Sequence, residues 1–211
     1  MGDNNSRRPL KSRTTGWASG LTRALLATGI TPNQISVLGV GFAAIGSWLM
    51  LVAANGQPLL FLLAALCIQL RLLCNMLDGL VAVEGGRGTA TGPLFNELPD
   101  RVEDSLFLIA FGYALGWPWL GWLAALLAVT TAYVRAMGSA LGHGDDFCGP
   151  MAKPHRMALL TLACFALAIE GQYQGSAVIG LWLFVALAVG TTATILRRTW
   201  RLRQKLVDAA G

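Results

Sequence analysis

The chain has 211 residues, is 55% hydrophobic and only 13% charged, and carries a net charge of +5. Soluble domains are roughly 25% charged, so the composition excludes an ordinary soluble globule and points to an all-α membrane protein. The length suits one compact bundle with no separate soluble domain.

The opening "MGDNNSRRPLKSRTTG" is polar and basic and lacks the apolar core of a secretory signal. It fits the crude acylation pattern at Gly2 and Ser6, but an acyl anchor adds little to a chain with several spans. Residues 15–29 alternate apolar and small polar residues around Arg23, which predicts a short amphipathic helix lying in the membrane interface. Residues 1–29 are therefore read as a cytoplasmic and interfacial segment.

A bilayer core takes about 20 apolar residues per helix. "QISVLGVGFAAIGSWLMLVAA" at 34–54 supplies the first span outright. The second, from Pro58, reaches full length only by taking in Arg71, Asn75 and Asp78. The apolar stretch 105–115 is too short, so the third must begin near Gly92 or Pro93 and draw Asp100, Arg101, Glu103 and Asp104 into one end. "PWLGWLAALLAVTTAYV" at 118–134 is the fourth. "MALLTLACFALAI" at 157–169 makes a fifth with "AKPHR" in front of it, and residues 176–196 make the sixth. The expected architecture is a single domain: a six-span bundle over 30–196, then a basic tail at 197–211.

The turns "NGQP", "LGWP" and "EGQYQG" contain no Lys or Arg. The N-terminus, the 84–91 and 142–156 loops and the tail carry nearly all of them. By the positive-inside rule both termini are cytoplasmic, in a multi-pass protein of the cell's inner membrane. The positive charge then meets anionic headgroups of membrane lipids. Nucleic acid would want a soluble basic face interleaved with aromatics, which is missing. Cys67, Cys74, Cys148 and Cys164 show no C-x-x-C spacing and read as helix packing.

A charged side chain at mid-bilayer costs roughly 2.5–3.5 kcal/mol on insertion, so acids inside spans face a cavity, a cation or a basic partner. Helical spacing sorts them. Arg71, Asn75 and Asp78 share one face of the second span; Asn96, Asp100 and Asp104 form a stripe on the third, with Glu97 beside it and Glu103 expected to point away. On sequential antiparallel helices the two stripes converge. The plainer alternative is a set of structural salt bridges from Arg71 or Arg101. Pro99 leaves the Phe95 carbonyl without its helical partner.

Together the two spans read Asn75-x-x-Asp78-Gly79-x-x-Ala82, then Gly92-x-x-x-Asn96-x-x-x-Asp100, and the first span opens on "ITPNQIS". This resembles the CDP-alcohol phosphotransferases, whose signature is D-x-x-D-G-x-x-A-R, eight or nine residues, then G-x-x-x-D-x-x-x-D. The resemblance implies a transferase that moves a substituted phosphate, commonly phosphatidyl, from a CDP-diacylglycerol-type donor to an acceptor alcohol, releasing CMP in phospholipid biosynthesis. It implies Mg²⁺ or Mn²⁺ as cofactor, held by oxygen ligands from Asp78 and Asp100 with Asn75 and Asn96. It also places the nucleotide at Asn75, Asp78, Gly79, Ala82 and Gly92, with Asp100 as the base that deprotonates the acceptor hydroxyl.

The chain departs from the signature at Asn75 and Asn96, where the family has Asp, and at Val83, where it has Arg. Glu97 and Asp104 could then supply the missing carboxylates as metal ligands; the alternative for Asp104 is a structural pair with Arg71 or Arg101. Arg135, Lys153 and Arg156 read either as positive-inside anchors or as a basic pocket for an alcohol or alcohol-phosphate acceptor. Asp145 and Asp146 between them read as solvated loop residues. Partners thus comprise donor, acceptor, membrane lipid and a second copy of the chain. The rival readings are an inactive family member serving as a lipid-binding scaffold and a small transporter, although no internal repeat of the transporter kind is found.

Overall fold

The computed structural model describes residues 16–172 and 177–209. The basic opening and its acylation pattern, part of the "EGQYQG" turn and the last two residues lie outside the described residues. Seven helices follow one another: α1 (Gly16–Thr28), α2 (Pro32–Ala53), α3 (Leu60–Glu84), α4 (Gly92–Ala114), α5 (Pro118–Ala140), α6 (Lys153–Gln172) and α7 (Val178–Asp208). The fold is all-α. Four helices, α2, α3, α5 and α7, are long and apolar enough to cross a membrane on length and composition. The other two long helices, α4 and α6, are 23 and 20 residues and carry the acids and bases that lower their hydropathy.

The tertiary order differs from the chain order. Among the described residues, α2 packs on α3 and α4, α4 on α5, α5 on α7, α7 on α6 and α6 back on α3, so the principal contacts close a ring. Phe61, Phe107, Phe111, Leu160 and Phe184 are buried inside it. The Phe111 ring lies 5.0 Å from that of Phe184 and 6.5 Å from that of Phe61. Outside stand Trp48, Leu126, Trp182 and Leu196, all exposed. Apolar side chains cover the exterior while Arg71, Glu103, Asp104 and Arg156 are buried, an arrangement that suits lipid outside rather than water.

Close backbone approach fixes two of the contacts. A Cβ on Gly112 of α4 would fall 2.5 Å from the Gly121 Cα of α5, so the helices meet backbone to backbone. A Cβ on Gly39 of α2 would fall 2.6 Å from Oε1 of Glu103, so the missing side chain makes room for a buried carboxylate.

"TPNQ" is a helix start. Thr31 accepts the Gln34 N–H at 3.3 Å, the Gln34 side chain accepts the Thr31 N–H at 2.9 Å, and Pro32 opens the first turn. α1 matches the helix expected over 15–29; Ala18 and Thr22 are buried and α3 is its packing partner. α7 runs unbroken for 31 residues, so the basic stretch from Arg197 to Lys205 continues the last helix.

Candidate active site

The two polar stripes do converge. The Asn75 amide donates to Asp100 Oδ1 at 2.7 Å. Arg71, fully buried, donates from Nη2 to Asp104 Oδ1 at 2.6 Å, to the Asp100 carbonyl at 3.2 Å and to Asp100 Oδ1 at 3.4 Å. On the other side of α3, the Ser36 hydroxyl donates to Asp78 Oδ2 at 2.8 Å. The helix start at Thr31 therefore aims α2 so that its second turn holds a motif carboxylate.

These residues open on a cavity of about 600 Å³. Asn75, Asp78, Gly79 and Ala82 of α3 line one wall, and Gly92, Asn96, Glu97 and Asp100 of α4 line another. Arg135 of α5 and Lys153 and Arg156 of α6 complete it. Residues expected to hold donor, metal and acceptor thus share one space, with acids and amides on one side and bases on the other.

Two expectations fail. Asp104 is not among the residues lining the cavity. Only 1% exposed, it accepts from Arg71 through Oδ1 and from Arg156 Nη2 at 3.0 Å through Oδ2. Both oxygens are taken, so it is the structural pair named as its alternative and not a compensating metal ligand. Glu103 does not point away. It is fully buried and ion-paired with the Arg71 Nε. The opposite face of α4 looked plausible because Glu103 lies off the i, i+4 stripe. With α2 packed on α4, the Arg71 side chain reaching over from α3, and Gly39 leaving space, the buried arc is wide enough to include it.

Glu97 does line the cavity, but Arg135 Nη2 holds it at 2.6 Å and Arg101 lies 3.9 Å away. Lys153 is ion-paired with Asp100. Asp145 and Asp146 are not solvated loop residues either. Asp145 lines the cavity 3.5 Å from Arg135, and Asp146 accepts the Cys148 N–H at 2.8 Å. Burial alone would push the Asp146 carboxyl up, but the Cys148 N–H and Arg201 hold it below the usual carboxylate value.

Three residues at the site had no role assigned from the sequence. Ser36 was noted only as the last residue of "ITPNQIS", with no partner. Arg87 donates to the Ile30 carbonyl at 3.0 Å and the Leu26 carbonyl at 3.4 Å, tying the α3–α4 loop to the start of α2. It lines the cavity four residues beyond exposed Val83, where the resemblance would have set an arginine. Arg198 of α7 also lines it, 6% exposed, donating to the Thr131 and Cys148 carbonyls, each at 2.9 Å. Its place in the run "RRTWRLRQK" had marked it only as a topology signal.

Among the described residues no cluster of three or more His, Cys, Asp or Glu gathers as a metal site. What the cavity offers is Asp78 and Asp100 with the amide oxygens of Asn75 and Asn96. All are hard oxygen donors of the type Mg²⁺ and Mn²⁺ prefer, and two carboxylates balance the charge of one divalent ion. The donor set fits a metal.

No family model matches the chain. It is 27% identical over 146 residues to the inner membrane protein YnbA of Escherichia coli, which covers 69% of this chain and 72% of that protein. It is 28% identical over 151 residues to the phosphatidylinositol phosphate synthase of Mycobacterium marinum, covering 66% of this chain but only 60% of the synthase. The crystal structure of the Mycobacterium tuberculosis phosphatidylinositol phosphate synthase with CDP-DAG bound superimposes with a TM-score of 0.66 at 22% identity, covering 87% of this chain and 92% of that one. Its complex with manganese and citrate also gives 0.66, covering 87% of each chain. The chain thus has the fold of that synthase, and its spaced motif on α3 and α4, which resembles that of the CDP-alcohol phosphotransferases, is drawn around one cavity.

Proposed function

We propose that the chain is a membrane transferase that moves a phosphatidyl group from CDP-diacylglycerol to an alcohol already carrying a phosphate. The observation that supports this best is the charge of the cavity wall. Its basic residues are Arg87, Arg101, Arg135, Lys153, Arg156 and Arg198; its acidic ones are Asp78, Glu97, Asp100 and Asp145. That leaves two positive charges in excess. One divalent cation raises the excess to four. A donor diphosphate diester removes two, and an acceptor phosphomonoester about two more. A neutral alcohol would leave the wall positive in a low-dielectric setting.

The bound cation supplies charge neutralisation for the donor diphosphate and for the departing CMP. Asp78, with the Asn75 and Asn96 amides, holds it on the donor side. Gly79, Ala82 and Gly92 carry little or no side chain, leaving space for the nucleotide against α3 and α4. The acceptor hydroxyl oxygen attacks the phosphorus that bears the diacylglycerol. A new O–P bond forms, the bond from that phosphorus to the bridging oxygen breaks, and the electron pair leaves with CMP. Asp100 takes the hydroxyl proton while Lys153 and Arg71 beside it hold its carboxylate in place. Arg198, which donates to two backbone carbonyls and not to carboxylates, is the cation best able to meet the acceptor phosphate, with Arg156 and Arg135 flanking.

The relatives' names support the reaction class: those of Mycobacterium marinum and Pyrococcus horikoshii are phosphatidylinositol and archaetidylinositol phosphate synthases. The test is CMP release from CDP-diacylglycerol with Mg²⁺ or Mn²⁺ and matched pairs of alcohols with and without a phosphate. The phosphorylated members are expected to react, and Arg198→Ala to raise the acceptor KM at least about tenfold with little change in donor KM. Release with free alcohols alone would refute the acceptor assignment. A scaffold without activity is the second reading, motivated by Asn75 and Asn96; it predicts donor binding with no CMP release from any alcohol.

The same reading puts α1 in the membrane interface and α2 to α7 across the bilayer as six spans, in one domain with both termini and the cavity on the cytoplasmic side. The support is the Lys and Arg asymmetry of the loops. Reporters fused after Gly56 and Gly171 are expected to behave as external, and after Gly86 and Gly144 as internal. An external Gly86 would remove the cytoplasmic site.

A further inference from the structure

We propose that Arg71, which is not among the cavity-lining residues, is the positioning residue that locks the donor half of the site to the acceptor half; this rests on the functional reading above. Its guanidinium is fully buried, and one nitrogen, Nη2, meets both halves. Nη2 reaches Asp100 at the carbonyl and at Oδ1. The same Nη2 holds Asp104 Oδ1 at 2.6 Å, and Asp104 holds Arg156 through Oδ2 at 3.0 Å. Arg156 in turn donates from Nη1 to Thr131 and to the Met151 carbonyl, both at 3.2 Å, on the acceptor side. Three helices meet in this network: Arg71 from α3, the acids Asp100, Glu103 and Asp104 from α4, and Lys153 and Arg156 from α6. Arg101 of α4 adds a further ion pair to Asp100 at 3.3 Å, so four positive side chains meet three negative ones.

The consequence is mechanical. The carboxylate that takes the proton and a guanidinium that meets the acceptor are fixed to the same planar group. Nε anchors the guanidinium on Glu103 while Nη2 meets Asp100 and Asp104, and this two-point hold is one that a lysine ammonium cannot reproduce. A displacement of about an ångström between base and acceptor costs on the order of a hundredfold in rate.

Three variants of the full-length protein in detergent or nanodiscs test this, with kcat, both KM values and thermal midpoint recorded for each. Arg71→Lys keeps the charge and loses the fork; it is expected to lower kcat and raise acceptor KM, each at least tenfold, with donor KM little changed. Asp104→Asn weakens the link from Nη2 to Arg156 and is expected to raise acceptor KM at least tenfold. Glu103→Gln weakens the Nε anchor but leaves both Nη2 contacts in place, and is expected to lower the midpoint while leaving acceptor KM as it was. If Arg71→Lys does not fold, the contrast between Asp104→Asn and Glu103→Gln decides. Equal acceptor KM in those two, or unchanged kinetics in a folded Arg71→Lys, would overturn the positioning role. Failure of the functional reading would look different: the unaltered protein would release no CMP with any acceptor.

Discussion

Asp100→Ala and Asp78→Ala are each expected to reduce CMP release at least a hundredfold while the protein stays folded and monodisperse. For Asp100 the loss is that of a general base, typically about 10²–10⁴ in rate. It is compounded because Lys153, Arg71 and Asn75 all converge on Oδ1 and would lose the anion they surround. For Asp78 the loss is half the carboxylate charge facing the cation. The two are expected to differ in how added metal acts. Raising Mn²⁺ should partly restore Asp78→Ala, whose defect is affinity, and leave Asp100→Ala unchanged. Undiminished release in either variant would exclude the proposed site, because the other two carboxylates lining the cavity, Glu97 and Asp145, are both paired with Arg135.

Glu103→Gln is expected to be the most damaging of the conservative changes to stability. It removes one of the three negative charges that surround Arg71 and leaves the guanidinium Nε facing a neutral amide. Breaking a buried pair by neutralising one partner typically costs about 3–5 kcal/mol. For a chain of about 200 residues that is on the order of ten degrees in midpoint. Fluorescence-detected size exclusion after heating measures it directly. A midpoint within a degree or two of the unaltered protein would place Glu103 in a solvated position, contrary to its full burial.

The sequence carried the site further than it carried the architecture around it. Asn75, Asp78, Asn96 and Asp100 were legible because 3.6-residue periodicity puts each set on one helix face, and sequential antiparallel helices bring two faces together. Arg135, Lys153 and Arg156 were legible as basic residues at span ends, and their functional role was left open against anchoring. Which helix neighbours which was not legible. The ring order, with α5 beside α7 and α6 beside α3, depends on contacts such as Gly112 against Gly121, where a missing side chain matters only once its partner is known. For the same reason Glu103 was misplaced and Arg198 overlooked. The buried arc of a helix depends on every helix packed on it, and Arg198 reaches the cavity only because α7 closes against α5. Ser36 was legible as the end of "ITPNQIS", but its partner, Asp78, lies 42 positions away and was not.

The division of charge among three helices has a consequence for biosynthesis. α3 brings one arginine, α4 three acids and Arg101, and α6 a lysine and a second arginine that meet those acids. With α3 and α4 alone, two cations face three acids, and an unpaired acid in an apolar setting is costly. The last of the three helices to be made is then the one that lets the first two settle.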